Sequence, residues 1–183
     1  MTGIFLDQKE VRGRLVDGFA VGKTVLNMFS YTGAFSVAAA MGGAVATTSV
    51  DLAKRSLPKT TEQFEVNHLN LAPQKIIVMD VFDYFKYASR KGLSYDMIIL
   101  DPPSFARNKK KVFSVAKNYG ELVKDSIDIL TDKGTLIAST NAANLSLAKY
   151  KKMVITALQE KNVRYKITAV SYTHLRAHET SLH

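Results

Sequence analysis

The 183-residue chain has no cysteine. That absence removes disulfides, thiolate metal sites and any cysteine nucleophile together. Acidic residues are few beside basic ones, 16 Asp+Glu against 25 Lys+Arg, and the formal net charge of +9 suits a polyanionic partner. No apolar run approaches the roughly 20 residues of a membrane span. Residues Met1 to Asp7 have neither a basic leader nor a long apolar stretch, so they do not read as a secretory signal. The histidines, His68, His174, His178 and His183, form no set with metal-ligand spacing, and no metal site is expected. With 46% hydrophobic and 22% charged residues the composition is that of one folded domain, expected in the cytoplasm and away from membranes.

What is present is an alternation of short β-branched runs and helical stretches. Thr24–Phe29, Ala46–Asp51, Ile76–Asp80, Tyr95–Asp101 and Gly134–Thr140 read as strands. Phe35–Met41, Leu52–His68, Val81–Lys91, Tyr119–Leu130 and Ser146–Lys161 read as helices, and Arg164–Tyr172 as a further strand. Continuously apolar strands, each followed by a helix, predict an α/β fold with a doubly wound, mostly parallel sheet covered on both faces. Pro58 falls inside a predicted helix, where it either kinks the helix or marks a late start at Lys59.

In such sheets ligands sit at the carboxyl ends of the strands, near the switch in strand order. Three of the predicted strands end on aspartate: Asp51, Asp80 and Asp101. One such residue is turn chemistry, whereas three on one edge suggest a site. The first strand-to-helix loop, Asn27-Met28-Phe29-Ser30-Tyr31-Thr32-Gly33, has one glycine, so it does not offer the room that a G-x-G-x-x-G loop gives a pyrophosphate. Asp51 is placed either to accept from both hydroxyls of a ribose or to cap a helix. A Rossmann-like sheet with a ribose acid and no diphosphate loop favours S-adenosyl-L-methionine over NAD.

The fourth strand runs into Asp101-Pro102-Pro103-Ser104-Phe105. Two prolines fix φ, donate no N–H and leave carbonyls exposed at a strand end. Carbonyls can accept from the amine edge of a planar base while an aromatic ring stacks on its face. The alternative is a rigid loop start with a core phenylalanine.

Phe5-Leu6-Asp7-Gln8, Asn27-x-Phe29-Ser30-Tyr31-Thr32-Gly33, Ser49-Val50-Asp51, Asp80-Val81-Phe82 and Asp101 to Phe105 together resemble the bacterial large-subunit (23S) ribosomal RNA methyltransferases. These are Rossmann-like class I S-adenosylmethionine enzymes, often linked to a PUA domain. The resemblance runs from about Gly3 to about Ala169. It implies that Phe29, Ser30, Tyr31, Thr32 and Gly33, with Asn27, line the methionine part of the cofactor. It also implies that Asp51 takes the ribose and that Asp80 and Val81 bracket the adenine. Asp101, Pro102, Pro103 and Phe105 would face the base, while Phe5–Gln8 and Arg12 would close the pocket. One branch of the family makes 5-methylcytosine through a cysteine after the fifth strand, and without cysteine that covalent route is closed. The stretch Ala138–Asn144 is more similar to a branch that methylates a guanine nitrogen. Asn141 is then the second candidate for holding the base edge, or else a turn cap.

Arg107, Lys109, Lys110, Lys111 and Lys117 follow the base-holding motif with no acid among them. Such a run is either a solvated loop or a phosphate-neutralising contact for RNA, with Phe105 or Phe113 available to stack on an unpaired base. The expected partner is 23S ribosomal RNA or the assembling large subunit. Residues 1–169 read as the methyltransferase domain. Val170–Thr180 does not resemble the family's end and looks like a read-through peptide of sequencing-adapter origin, so that 170–183 is a non-native tail and the final strands of the sheet are missing. Two other functions compete: a non-catalytic RNA-binding fragment, and an NAD-dependent oxidoreductase, against which the single-glycine loop and the Asp-Pro-Pro motif argue.

Overall fold

The computed structural model describes residues 8–107, 112–142 and 145–168. The chain enters through α1 (Lys9–Arg14), which runs on into a π-helical turn at Leu15–Phe19. Strands and helices then alternate: β1 (Thr24–Met28), α2 (Ala34–Met41), β2 (Ala46–Asp51), α3 (Ser56–Val66), β3 (Gln74–Val78), α4 (Val81–Arg90) and β4 (Tyr95–Leu100). Next come a short ribbon, β5 (Phe105–Arg107) and β6 (Val112–Ser114), then α5 (Val115–Asp128), β7 (Leu130–Ala138) and α6 (Leu147–Glu160). The main sheet has the order β3-β2-β1-β4-β7, and every adjacent pair is parallel. The doubly wound α/β expectation therefore holds.

Burial on both faces explains the apolar strands. Val25, Met97 and Ile99 pack with Leu15, Phe35, Ala38 and Ala39 on one face. Leu26, Met28, Ile98 and Leu100 pack with α4, α5 and α6 on the other. Alternate residues of one strand thus bury in opposite directions, and each fully buried Leu, Ile or Met contributes roughly 1.5–3 kcal/mol. The chain steps outward from β1 to β3 and then returns to the other side of β1 as β4. The order reverses between β1 and β4, and their carboxyl ends open onto a crevice.

Several expectations change. The third helix begins at Ser56, so Pro58 lies in its first turn, where backbone N–H groups have no intrahelical acceptor and a missing one costs no bond. The proline is neither a kink nor a start signal. The fifth strand of the sheet, β7, extends back to Leu130, and α5 begins at Val115 rather than Tyr119. The antiparallel β5–β6 ribbon has no counterpart in the sequence pattern: its strands are three residues each, too short for a period-2 signal. Residues 164–168 form no strand, and the rest of that predicted segment, like residues 170–183, lies outside the described residues. No helix among the described residues is long and apolar enough to cross a membrane.

Candidate functional site

A cavity of about 490 Å³ opens at the carboxyl edge of the sheet. Its walls come from the loops leaving β1 (Phe29 to Thr32), β2 (Asp51 to Ala53), β3 (Asp80 to Phe82) and β4 (Asp101, Pro103), with Asn141 beyond β7. Four loops separated by long stretches of chain meet there because parallel strands all present their carboxyl ends on one side.

The β1–α2 loop is strained. Phe29 and Tyr31 adopt φ of +60° and +50°, and Gly33 +76°. Left-handed backbone is uncommon outside glycine, and costs of order 1–3 kcal/mol mark places held by their surroundings. The surroundings here are explicit. The Ser30 N–H donates to the Val50 carbonyl at 3.0 Å, and the Tyr31 N–H donates to Asp51 Oδ2 at 2.9 Å. Gly33 lies so close to α3 that a Cβ would sit 2.4 Å from Thr60 Cγ2. The glycine expected to be a cofactor contact is therefore a packing and conformational requirement, and it does not itself line the cavity.

Asn27 also departs from expectation. It is fully buried and donates through Nδ2 to Ser36 Oγ at 3.0 Å, with Ser36 and Ser49 hydroxyls 2.6 Å apart beneath the loop. Its Oδ1 has no hydrogen-bond partner among the described residues, and its side chain does not reach the cavity. Period-2 alternation points Asn27 to the α2 face, so it supports the loop from below.

Asp51 holds two backbone donors, Tyr31 N–H on Oδ2 and Ala53 N–H at 2.8 Å on Oδ1. A carboxylate offers about four lone-pair directions, so one remains on each oxygen for a pair of neighbouring hydroxyls. Asp80 caps α4, accepting from Phe82 N–H at 3.0 Å and Asp83 N–H at 3.4 Å, and still lines the cavity with Val81 and Phe82. The cap and the site are one residue. An apolar wall stands beside it: Phe113, 6% exposed, has its ring 5.7 Å from Phe29 and 6.0 Å from Phe82. Phe113 is therefore unavailable as a stacking platform for nucleic acid outside the cavity, which corrects that expectation. Phe105 is 60% exposed, and neither it nor the buried Pro102 lines the cavity.

Asp101 accepts from Ser139 Oγ at 2.6 Å and from Gln8 Nε2 at 3.4 Å. Gln8 and Arg12 of the first helical segment line the cavity, in keeping with the expected closing strap, while Phe5 to Asp7 lie outside the described residues. Asn141 lines the cavity and accepts from Ser104 Oγ at 3.0 Å. Behind this edge the Tyr119 hydroxyl donates to the Ser139 carbonyl at 2.8 Å and accepts from the Tyr150 hydroxyl at 2.9 Å. Burial, and then the neighbouring Tyr150, hold the Tyr119 phenol well above its usual range, and burial does the same for Tyr150. Both remain protonated donors near neutral pH.

Arg55, Asn118 and Glu121 also line the cavity, and sequence reasoning misses all three. Arg55 comes four residues after a strand end, so a reading of the whole β2–α3 loop would find it. Asn118 and Glu121 arrive from α5 through tertiary packing and carry no local signal. Arg107 belongs to β5, and Lys109, Lys110 and Lys111 lie outside the described residues. Among the described residues no group of His, Cys, Asp and Glu could hold a metal ion.

A family model described as S-adenosylmethionine-dependent methyltransferase matches residues 1–154. The chain is 59% identical over 167 residues to YwbD of Bacillus subtilis (strain 168), named as a candidate ribosomal RNA large subunit methyltransferase, covering 91% of this chain and 42% of that protein. It is 37% identical over 148 residues to the ribosomal RNA large subunit methyltransferase K of Neisseria meningitidis serogroup B, covering 80% of this chain and 42% of the relative. Among solved structures it is similar to SMU.776, a candidate methyltransferase complexed with SAH. That match has a TM-score of 0.84 and 61% identity, over 86% of this chain and 41% of that one. A methyltransferase from Agrobacterium tumefaciens gives a TM-score of 0.75 at 26% identity, over 85% of this chain and 51% of that one. The chain thus spans about two fifths of the length of the curated relatives it matches.

Proposed function

This chain belongs to the S-adenosylmethionine-dependent methyltransferase family, and on that premise we propose that it serves methyl transfer to a guanine nitrogen of 23S ribosomal RNA. The observation that carries this reading is the meeting of Asp51 and Asp101 on one cavity at the β1/β4 reversal. The cavity fits the cofactor chemically: a carboxylate with acceptor capacity for two hydroxyls, an aromatic and aliphatic wall for a planar ring, and no glycine-rich cradle for a diphosphate. When bound, S-adenosyl-L-methionine supplies an electrophilic methyl on a sulfonium.

The rest is done by this chain's residues. Asp51 accepts from the ribose hydroxyls, Val81 and Phe82 flank the adenine beside Asp80, and Phe29 to Thr32 receive the methionine end. Asp101 and Asn141, with Pro103, hold the edge of the target base. A ring nitrogen such as guanine N7 has an in-plane lone pair and needs only placement, whereas an exocyclic amine needs an acceptor to free its lone pair. In both cases orientation provides most of the acceleration, and neither requires the absent cysteine. Arg107 and Lys109 to Lys111 follow the base-holding motif and neutralise phosphate, while exposed Phe105 stacks on an unpaired base. The target leaves its helical stack to reach the cavity. The names of the relatives support a ribosomal substrate, and an enzyme with that substrate works in the cytoplasm. Residues 1–169 constitute the methyltransferase domain in this reading, and 170–183 a tail foreign to it.

The test is calorimetric titration of the folded chain with S-adenosylhomocysteine, then transfer of labelled methyl to 23S RNA and mapping of the modified nucleotide. Micromolar binding and label on guanine are expected. A folded sample that does not bind overturns the cofactor assignment, and label on cytosine overturns the base assignment.

A further inference from the structure

Asp101 is held from behind by groups that do not line the cavity. Ser139 is anchored to β4 through its N–H, which donates to the Leu100 carbonyl at 2.9 Å. Its hydroxyl is 2.6 Å from Asp101 Oδ1. The Ser139 carbonyl in turn accepts from Tyr119, which is fully buried on α5, and Tyr119 accepts from Tyr150 on α6. The two rings meet edge to face at 5.0 Å and 73°. Donation runs from Tyr150 to Tyr119 to the Ser139 carbonyl and so fixes the serine main chain, while the Ser139 hydroxyl separately donates to the carboxylate. The phenols are shifted upward in part by the charge of Asp101, so the three groups share one electrostatic neighbourhood.

We propose that Ser139, Tyr119 and Tyr150 are positioning residues that hold Asp101 in its cavity-facing orientation as an ionised acceptor. The proposal rests on Asp101 serving the base edge, as above, and adds that helix α6, outside the cavity, sets the geometry of that edge. Polar donors are needed here because Asp101 follows the buried run Met97–Leu100, and a carboxylate at such a strand end turns toward whichever donor is fixed. Ser139 occupies the place next to Asp101 through the β4–β7 register, in which Leu100 pairs with Ala138. Tyr119 and Tyr150 stop the serine from moving.

The experiment is a carbon-13 carboxyl titration of Asp101 in the full chain, without cofactor, for the parent, Ser139→Ala, Ser139→Thr and Tyr150→Phe. Removing a donor to a carboxylate disfavours its charged form, so the Asp101 midpoint moves to higher pH in Ser139→Ala and less far in Tyr150→Phe, while Ser139→Thr restores it. Among the described residues the titratable groups around Asp101 are Tyr119 and Tyr150 behind it and Arg12, Tyr31, Arg55, Asp51, Asp80 and Glu121 lining the cavity; of these Tyr150 alone is altered, and only in its own variant. Tyr84→Phe is the control. It breaks a buried hydroxyl pair with Tyr95 (2.5 Å) remote from Asp101, so it lowers stability without moving the midpoint. In methyl transfer, Ser139→Ala loses roughly tenfold in kcat with cofactor affinity unchanged, the size expected of one charge-assisted hydrogen bond. A midpoint that stays at the parent value in both Ser139→Ala and Tyr150→Phe overturns the proposal. Tyr150 is only half-buried, so its phenylalanine variant remains available if the serine change prevents folding. Loss of the base-holding reading shows differently: the midpoints shift, yet Asp101→Asn keeps full turnover.

Discussion

Strand β4 carries an aspartate just inside its amino end and another just past its carboxyl end, and the two have opposite uses. Asp96 accepts from the Thr24 N–H at 2.9 Å, from Thr24 Oγ1 at 2.9 Å and from Thr131 Oγ1 at 3.0 Å. Its donors tie β1, β4 and β7 together, and the Thr24 backbone and hydroxyl hold its carboxyl below the usual range. Asp101 is held by Ser139 and Gln8 and faces a cavity. One carboxylate is enclosed among donors of neighbouring strands, the other lines the cavity. Parallel strands make this division systematic, because the amino edge receives connections that must be tied down while the carboxyl edge opens at the strand-order reversal.

Breaking the carboxyl-edge member has the largest effect. Asp101→Ala is expected to reduce methyl transfer by on the order of 10²–10³-fold while S-adenosylhomocysteine still binds, as measured by single-turnover kinetics beside calorimetry. Retained turnover removes Asp101 from the chemistry. Asp51→Ala, at the neighbouring strand end, acts on binding instead: cofactor affinity falls about 10–100-fold because two charge-assisted hydrogen bonds are lost, and unchanged affinity refutes the ribose contact.

The amino-edge member gives the reverse pattern. Asp96→Ala is expected to lower stability by about 1–2 kcal/mol, with activity per folded molecule unchanged. Because the folded-state carboxyl lies below its unfolded value of 3.8, its contribution is complete above that value and is lost as pH falls through the folded one. The parent should therefore lose stability in acid more steeply than Asp96→Ala, as measured by chemical denaturation from about pH 5 down to the acid limit; parallel curves contradict the assignment. The smallest effect concerns the basic run: Lys109, Lys110 and Lys111 replaced by Ala should flatten the slope of log affinity for RNA against log salt by up to about 0.7–0.9 per lysine, and an unaltered slope removes the run from the RNA contact.

How legible each part is in the sequence depends on where its signal resides. The central strands β1 and β4 are readable because burial on two faces imposes apolar runs such as Met97–Leu100, whereas β2, β3 and β7 are read from shorter β-branched stretches. Pro58 is ambiguous since a proline in a first turn and a proline in a helix interior look alike until the helix start is known. The β5–β6 ribbon is invisible, being scarcely longer than its own period. At the site Asp51, Asp80 and Asp101 stand out as poor strand formers at strand ends. Asn27 and Gly33 sit where cofactor contacts are expected, yet one supports the loop and the other admits Thr60. Asn118 and Glu121, delivered by α5, cannot be read at all.

By itself the sequence determined the parallel α/β architecture, the carboxyl-edge location of the candidate site and, through its motifs, the resemblance to the family. All of these depend on residue type and local order, which periodicity and spacing preserve. Only the tertiary structure decided which side chains face the cavity, that Asp80 caps a helix while Asp96 ties strands together, and that Tyr119 and Tyr150 stand behind Asp101. Those assignments depend on distances between residues far apart in the chain, such as the 2.6 Å from Ser139 to Asp101, and such distances exist only once β4 and β7 lie side by side.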